Sequence, residues 1–166
     1  MNPKRFTVGV TAGIAVVLLL IGGTGETTIL NIIHAQTTTL GEPYFVEKGK
    51  VIDQKEIGPN RIQYTFAANG TMNDNIDVTN TGEFVSVSKG NNLTFEQGQG
   101  VVTTKDGSET ANYTFIDVFN GTDLQGASAY STNSTGELSF LNNILGIFRG
   151  GQEESGNYAL EQWHWK

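Results

Sequence analysis

The sequence predicts an all-β protein, an antiparallel meander closing into a barrel of about eight strands behind an N-terminal hydrophobic signal or anchor helix. Three observations carry this. From about Tyr44 onward apolar and polar residues alternate, and no window of a dozen residues holds an apolar stripe at helical spacing. Short turn signals punctuate the alternation, so consecutive strands are neighbours and antiparallel. Glycine is abundant, at 21 of 166 residues, while proline numbers only 3, a balance that suits strand bends and tight turns and excludes collagen or a proline-rich linker. A long open meander would leave two unpaired edges, and closure removes them. A two-sheet sandwich is the alternative that periodicity does not separate from a barrel.

The N-terminus places Lys4 and Arg5 ahead of an uncharged stretch, residues 6–25, that is strongly apolar from Val8 to Gly22. That is the order of an export signal, and Ala35 offers a small residue before a scissile bond. Two readings stand for residues 1–35: a cleaved signal peptide, or an uncleaved membrane anchor close to the ~20 residues that span a bilayer. Both place the rest of the chain outside the cytoplasm, secreted or held on the outer face of the membrane. Residues 36–43 are polar and patternless and read as a linker, and 44–166 form the barrel domain.

Within that domain Arg61–Ala68 puts Ile62, Tyr64, Phe66 and Ala68 on one face, and Asn69-Gly70 supplies a tight hairpin turn. Ten further strand segments are legible at Tyr44–Ile52, Asn75–Asn80, Glu83–Lys89, Leu93–Glu96, Gly100–Lys105, Thr110–Phe119, Leu124–Ser131, Glu137–Phe140, Ile144–Arg149 and Asn157–Trp165. Some of these must merge to reach about eight. The Gln97-Gly98-Gln99-Gly100 run is read as a bulge or barrel corner, and Gly150-Gly151 as a turn.

Charge and residue usage exclude several functions. Of 10 basic and 17 acidic residues only Lys4, Arg5 and Glu26 fall in 1–35, so the remainder is more acidic than the whole chain, whose net charge is −7. A nucleic-acid partner calls for the opposite balance, and contact with a membrane is expected only through residues 6–25. Without cysteine there is no disulfide, thiolate metal site or cysteine nucleophile. Beyond residue 35 the one histidine is His164, read as an ordinary strand residue, so no histidine-cluster metal site forms. Asn73-Asp74-Asn75-Ile76-Asp77 lacks the glycine of a calcium loop and reads as a polar turn. No cofactor is expected, and no catalytic residue is assigned.

Glu47, Glu83, Glu96, Asp117 and Glu161 lie within strand patterns, where an acid facing the interior would be desolvated. Aromatic residues recur on the strands, and most are expected to fill the core. For a hollow barrel Tyr64, Phe66, Tyr113 and Trp163 are the candidate ligand-binding residues. Asn-X-Ser/Thr sequons at Asn69, Asn92, Asn120 and Asn133 are candidate glycan acceptors, and a fifth, at Asn112, falls inside a strand.

Three stretches carry a resemblance. They are Glu96-Gln97-Gly98-Gln99-Gly100-Val101-Val102-Thr103-Thr104-Lys105-Asp106-Gly107-Ser108-Glu109, then Leu138-Ser139-Phe140-Leu141-Asn142-Asn143-Ile144-Leu145-Gly146-Ile147-Phe148, and the closing Trp163-His164-Trp165-Lys166. Over residues 50–166 the chain resembles a family of small uncharacterised prokaryotic proteins, which implies a barrel similar to those of allene oxide cyclases and dirigent proteins. No catalytic group of the cyclases is placed on this chain. The expectation is an exported, non-enzymatic barrel that binds a small apolar ligand or acts structurally at the cell surface. The alternative is a cofactor-free isomerase or cyclase.

Overall fold

In the computed structural model the described residues are 40–153 and 155–165. The leader expected over 1–35 and most of the linker lie outside them. Eight strands follow in order: β1 Phe45–Gly58, β2 Arg61–Met72, β3 Ile76–Gly90, β4 Leu93–Thr104, β5 Thr110–Asn120, β6 Asp123–Ser131, β7 Leu145–Gln152 and β8 Asn157–His164. Each pairs antiparallel with the next, and β1 pairs with β8, which closes the barrel and excludes the sandwich. Among the described residues no helix is long and apolar enough to cross a membrane.

Several expected boundaries move. Asn75–Asn80 and Glu83–Lys89 are one strand, β3, and Leu93–Glu96 and Gly100–Lys105 are one strand, β4. The Gln97–Gly100 run is not a bulge, because β4 keeps an unbroken register there with both neighbours. Its glycines serve close approach instead. Added Cβ atoms at Gly82, Gly98, Gly100 and Gly126 would meet ring atoms of Phe66, Phe115, Tyr113 and Phe148 on adjacent strands at 2.5–2.7 Å. Each ring reaches over a glycine of a neighbouring strand, so a narrow barrel holds many rings without overpacking.

Asn69-Gly70 does not turn the chain, since β2 runs on to Met72. The reversal comes at Asn73 and Asp74, whose φ of 47° and 65° lie in the left-handed region that asparagine and aspartate tolerate. Gly150-Gly151 likewise stays inside β7 rather than turning it. A bulge within β1 is at Ile52, where the β1–β2 register slips between Val51 and Asp53, and further shifts occur beside the hairpin turns at Glu56/Gly58 and Ser88/Gly90.

Glu137–Phe140 forms no strand. It leads into a 3₁₀ turn at Ser139–Leu141 within the β6–β7 connection. This connection seals one end of the barrel. Leu138 and Leu141 are fully buried against Phe45, Met72, Val102 and Ala111. The Glu109 carboxylate holds the segment in place, accepting hydrogen bonds from the backbone N–H groups of Glu137 (3.1 Å) and Leu138 (2.7 Å). Among the described residues the opposite end has no such plug, so they form a cup.

Candidate functional site

The cup's interior is set by strand parity. Every second residue points inward, and the continuous register carries that parity from strand to strand. Above the apolar plug lies a cavity of about 70 Å³ walled by Phe66, Phe84, Phe115, Phe148 and Tyr158, among others. Above it a vestibule of about 690 Å³ opens at the mouth. Val51, Phe84, Glu96 and Gln152 line both spaces, which makes them two levels of one pocket. The rings interlock: Phe66, Phe84 and Phe115 stand 6.2–6.3 Å apart between centroids, and Tyr64 stacks on Phe84 at 5.0 Å.

Three acids face this aromatic interior. Glu47, on β1, is deepest. Asn80 donates a hydrogen bond to it at 2.8 Å, and Tyr158 donates another at 3.4 Å. Asn80 in turn accepts from the Tyr113 hydroxyl at 3.0 Å. Full desolvation outweighs these two donors and pushes the Glu47 carboxyl up to about 7, so near neutrality it exists in both protonation states.

Glu96 and Asp117 are direct register partners on β4 and β5. Burial is the main reason both hold their protons more tightly than usual. The Glu96 charge beside it, together with a hydrogen bond between the carboxyls, brings Asp117 to about 8. Two like charges this close in an apolar site do not both ionise, and the pair keeps one proton at neutral pH. Asp117 is only 4% exposed, and its Oδ1 has no hydrogen-bond partner among the described residues.

A second polar network closes the floor. Tyr130 donates to the Gln162 side-chain oxygen at 2.8 Å, and the Gln162 amide donates to Ser128. Desolvation keeps the Tyr113 and Tyr130 hydroxyls protonated far above the ordinary phenol range.

Of the four aromatic residues expected at a ligand site, three converge. Phe66 and Tyr113 line the cavity and Tyr64 lines the vestibule. Trp163 does not join them. It sits on the outer face of β8, opposite Ile147 and beneath the Arg149 guanidinium at 5.0 Å, while its neighbour Gln162 faces the interior. Of the five acids singled out, Glu47, Glu96 and Asp117 point inward and Glu83 and Glu161 outward. Glu83 accepts bonds from Gln63 and Gln99, and Glu161 pairs with Arg149 at 3.7 Å. The signal that sorts them was in the sequence: Asp117 shares parity with Tyr113, Phe115 and Phe119. Asn80, Ser128, Tyr130 and Gln162 carried no comparable mark.

His164 stacks on Tyr44 at 4.1 Å. Among the described residues no group of His, Asp and Glu side chains is arranged to hold a metal ion. The sequon asparagines Asn69, Asn92, Asn112, Asn120 and Asn133 are all exposed, Asn69 and Asn112 on outward strand positions rather than turns.

No protein-family model matches the chain, and no curated protein matches it in sequence. Solved structures do share its fold. A conserved protein of unknown function from Rhodopseudomonas palustris superposes with a TM-score of 0.57 at 11% identity, covering 74% of this chain and 93% of that one. A protein of unknown function from Clostridium acetobutylicum gives 0.60 at 10% identity, covering 75% and 98%. The chain is therefore similar in fold to uncharacterised β-barrel proteins.

Proposed function

We propose that this barrel is a receptacle for one small, mostly apolar organic molecule, taken end-on through the mouth. The observation that carries the reading is the two-level pocket: an aromatic cavity continuous with a vestibule, above a fully packed plug. Burial of apolar ligand surface against these rings supplies the driving force, at about 25 cal/mol per Å². The basic-then-apolar N-terminus supports export, with the barrel released or tethered through residues 6–25. The test is titration of the full chain with n-hexanol, followed by the emission of a Phe84→Trp variant, because Phe84 borders both levels. Saturable one-to-one binding is expected. No saturable change would remove the reading.

A second reading is favoured by one observation, the setting of Glu47. A carboxyl that titrates near 7, fixed by Asn80 and Tyr158 and walled by rings, has the properties of a general acid–base group. On this reading the barrel is a cofactor-free isomerase or cyclase. Kinship with allene oxide cyclase and dirigent barrels is part of the same proposal, resting on the sequence resemblance. Catalysis would consist of positioning the substrate and moving one proton. Glu47→Gln would abolish turnover while leaving n-hexanol uptake intact.

A further inference from the structure

The pocket is one-sided in charge. Its deep level carries Glu47, Glu96 and Asp117, and the vestibule adds Asp53 and Glu153, yet among the described residues neither level is lined by a lysine, arginine or histidine. A carboxylate or phosphate head group placed here would face carboxyl groups with no cation to offset it, at a cost that low polarity magnifies. A neutral alcohol would meet no such repulsion. A protonated amine would gain twice, from the negative faces of the rings and from acceptor oxygens. One of those acceptors is waiting: Asp117 Oδ1 is buried, borders the cavity and has no partner among the described residues.

We propose that the molecule this cup takes is an organic ammonium, a protonated amine on a slim apolar body, inserted nitrogen first so that an N–H donates to Asp117 Oδ1. The inference rests on the receptacle reading above and names its ligand class. The body of the ligand extends back past Phe84 into the vestibule, against Tyr64 and Phe119.

Binding has a proton signature. At pH 7 the Glu96–Asp117 pair holds a proton between two carboxyls. The titratable groups that share the cavity with it are Glu47 from β1, Tyr113 from β5, Tyr130 from β6 and Tyr158 from β8, and Tyr64 from β2 lies at the vestibule level. None of these is cationic. An arriving ammonium therefore stabilises the ionised pair, and the shared proton leaves to the buffer.

The test is calorimetric titration of the full chain at pH 7 with n-hexylammonium, n-hexanol and n-hexanoate, each in two buffers of different ionisation heat. The ammonium is expected to bind at least about tenfold tighter than the alcohol, as a hydrogen bond to a charged partner implies, and to release protons. Hexanoate binds more weakly than the alcohol. In Asp117→Asn the ammonium advantage over the alcohol falls to within about threefold and proton release diminishes. Hexanol binding with no ammonium preference, or a full preference that survives in Asp117→Asn, overturns the inference and leaves the receptacle reading standing. Binding of none of the three overturns both. Should Asp117→Asn fail to fold, the wild-type ranking and proton release decide alone.

Discussion

Glu96 and Asp117 stand opposite each other in the β4–β5 register, both turned into an aromatic interior, and hold one proton between them at neutral pH. Stability should therefore depend on pH in an unusual direction. Glu47 titrates at about 7 in the fold against an ordinary 4.5, and Asp117 at about 8 against 3.8. Across those windows the folded chain holds protons that the unfolded chain has released, so stability falls as pH rises from about 4 to about 8. The Glu47 contribution alone is on the order of 3 kcal/mol. Urea midpoints measured from pH 4.5 to 8.5 should decline with pH, and a flat or rising profile would contradict the burial of these acids.

Glu47→Gln isolates one part of that slope. The amide keeps an oxygen for the Asn80 donor and removes the ionisable proton. The variant should be more stable than the parent at pH 8, show no such gain at pH 4.5, and flatten the profile between about 4.5 and 7. Equal effects at both pH values would mean that folding does not raise the Glu47 pKa.

Gly100 and Tyr113 should behave as a coupled pair. The three nearest atoms to a Cβ at Gly100 all belong to the Tyr113 side chain, at 2.6–2.7 Å. Gly100→Ala should destabilise by about 1–3 kcal/mol through overpacking. In a Tyr113→Leu background the same change should cost far less. Gly98→Ala provides the contrast, because a Cβ there also meets the Glu83 backbone oxygen, so Phe115→Leu should rescue it poorly. Double-mutant cycles in urea read both couplings.

Leu141→Ala should open the sealed end. Leu141 is completely buried in the plug, and truncation should cost about 2–5 kcal/mol. Binding at the mouth end should be retained at temperatures where the variant is folded, since Leu141 borders neither level of the pocket. Loss of binding in the folded variant would show that the plug and the pocket are not separate parts.

Much of the fold was legible because its cause is local. Strand periodicity and glycine-bearing turns gave an antiparallel meander, and the open-edge argument gave closure. What misled were glycines read by their usual habits. Gly70, Gly98, Gly100 and Gly150 looked like turn or bulge residues, yet they make room for atoms of neighbouring strands, a contact no single segment contains. The Ile52 bulge was equally silent, because register is a property of two strands. Tyr64, Phe66 and Tyr113, singled out as aromatic residues on strands, line the pocket. Trp163 lies on the outer face, as the alternation that sets it opposite Gln162 requires. The Asn80–Glu47–Tyr158 linkage joins residues on three strands and could only be seen in three dimensions.

The central claim, that the upper barrel is an open aromatic receptacle, is tested most directly by locating a bound molecule. An aromatic and backbone NMR titration of the full chain with n-hexanol should perturb inward residues of the mouth half, Tyr64, Phe84, Phe115 and Asp117 above all. Outward positions on the same strands, such as Glu83 and Ile116, should stay unchanged. Perturbations confined to the outer face, or none at saturating alcohol, would contradict it.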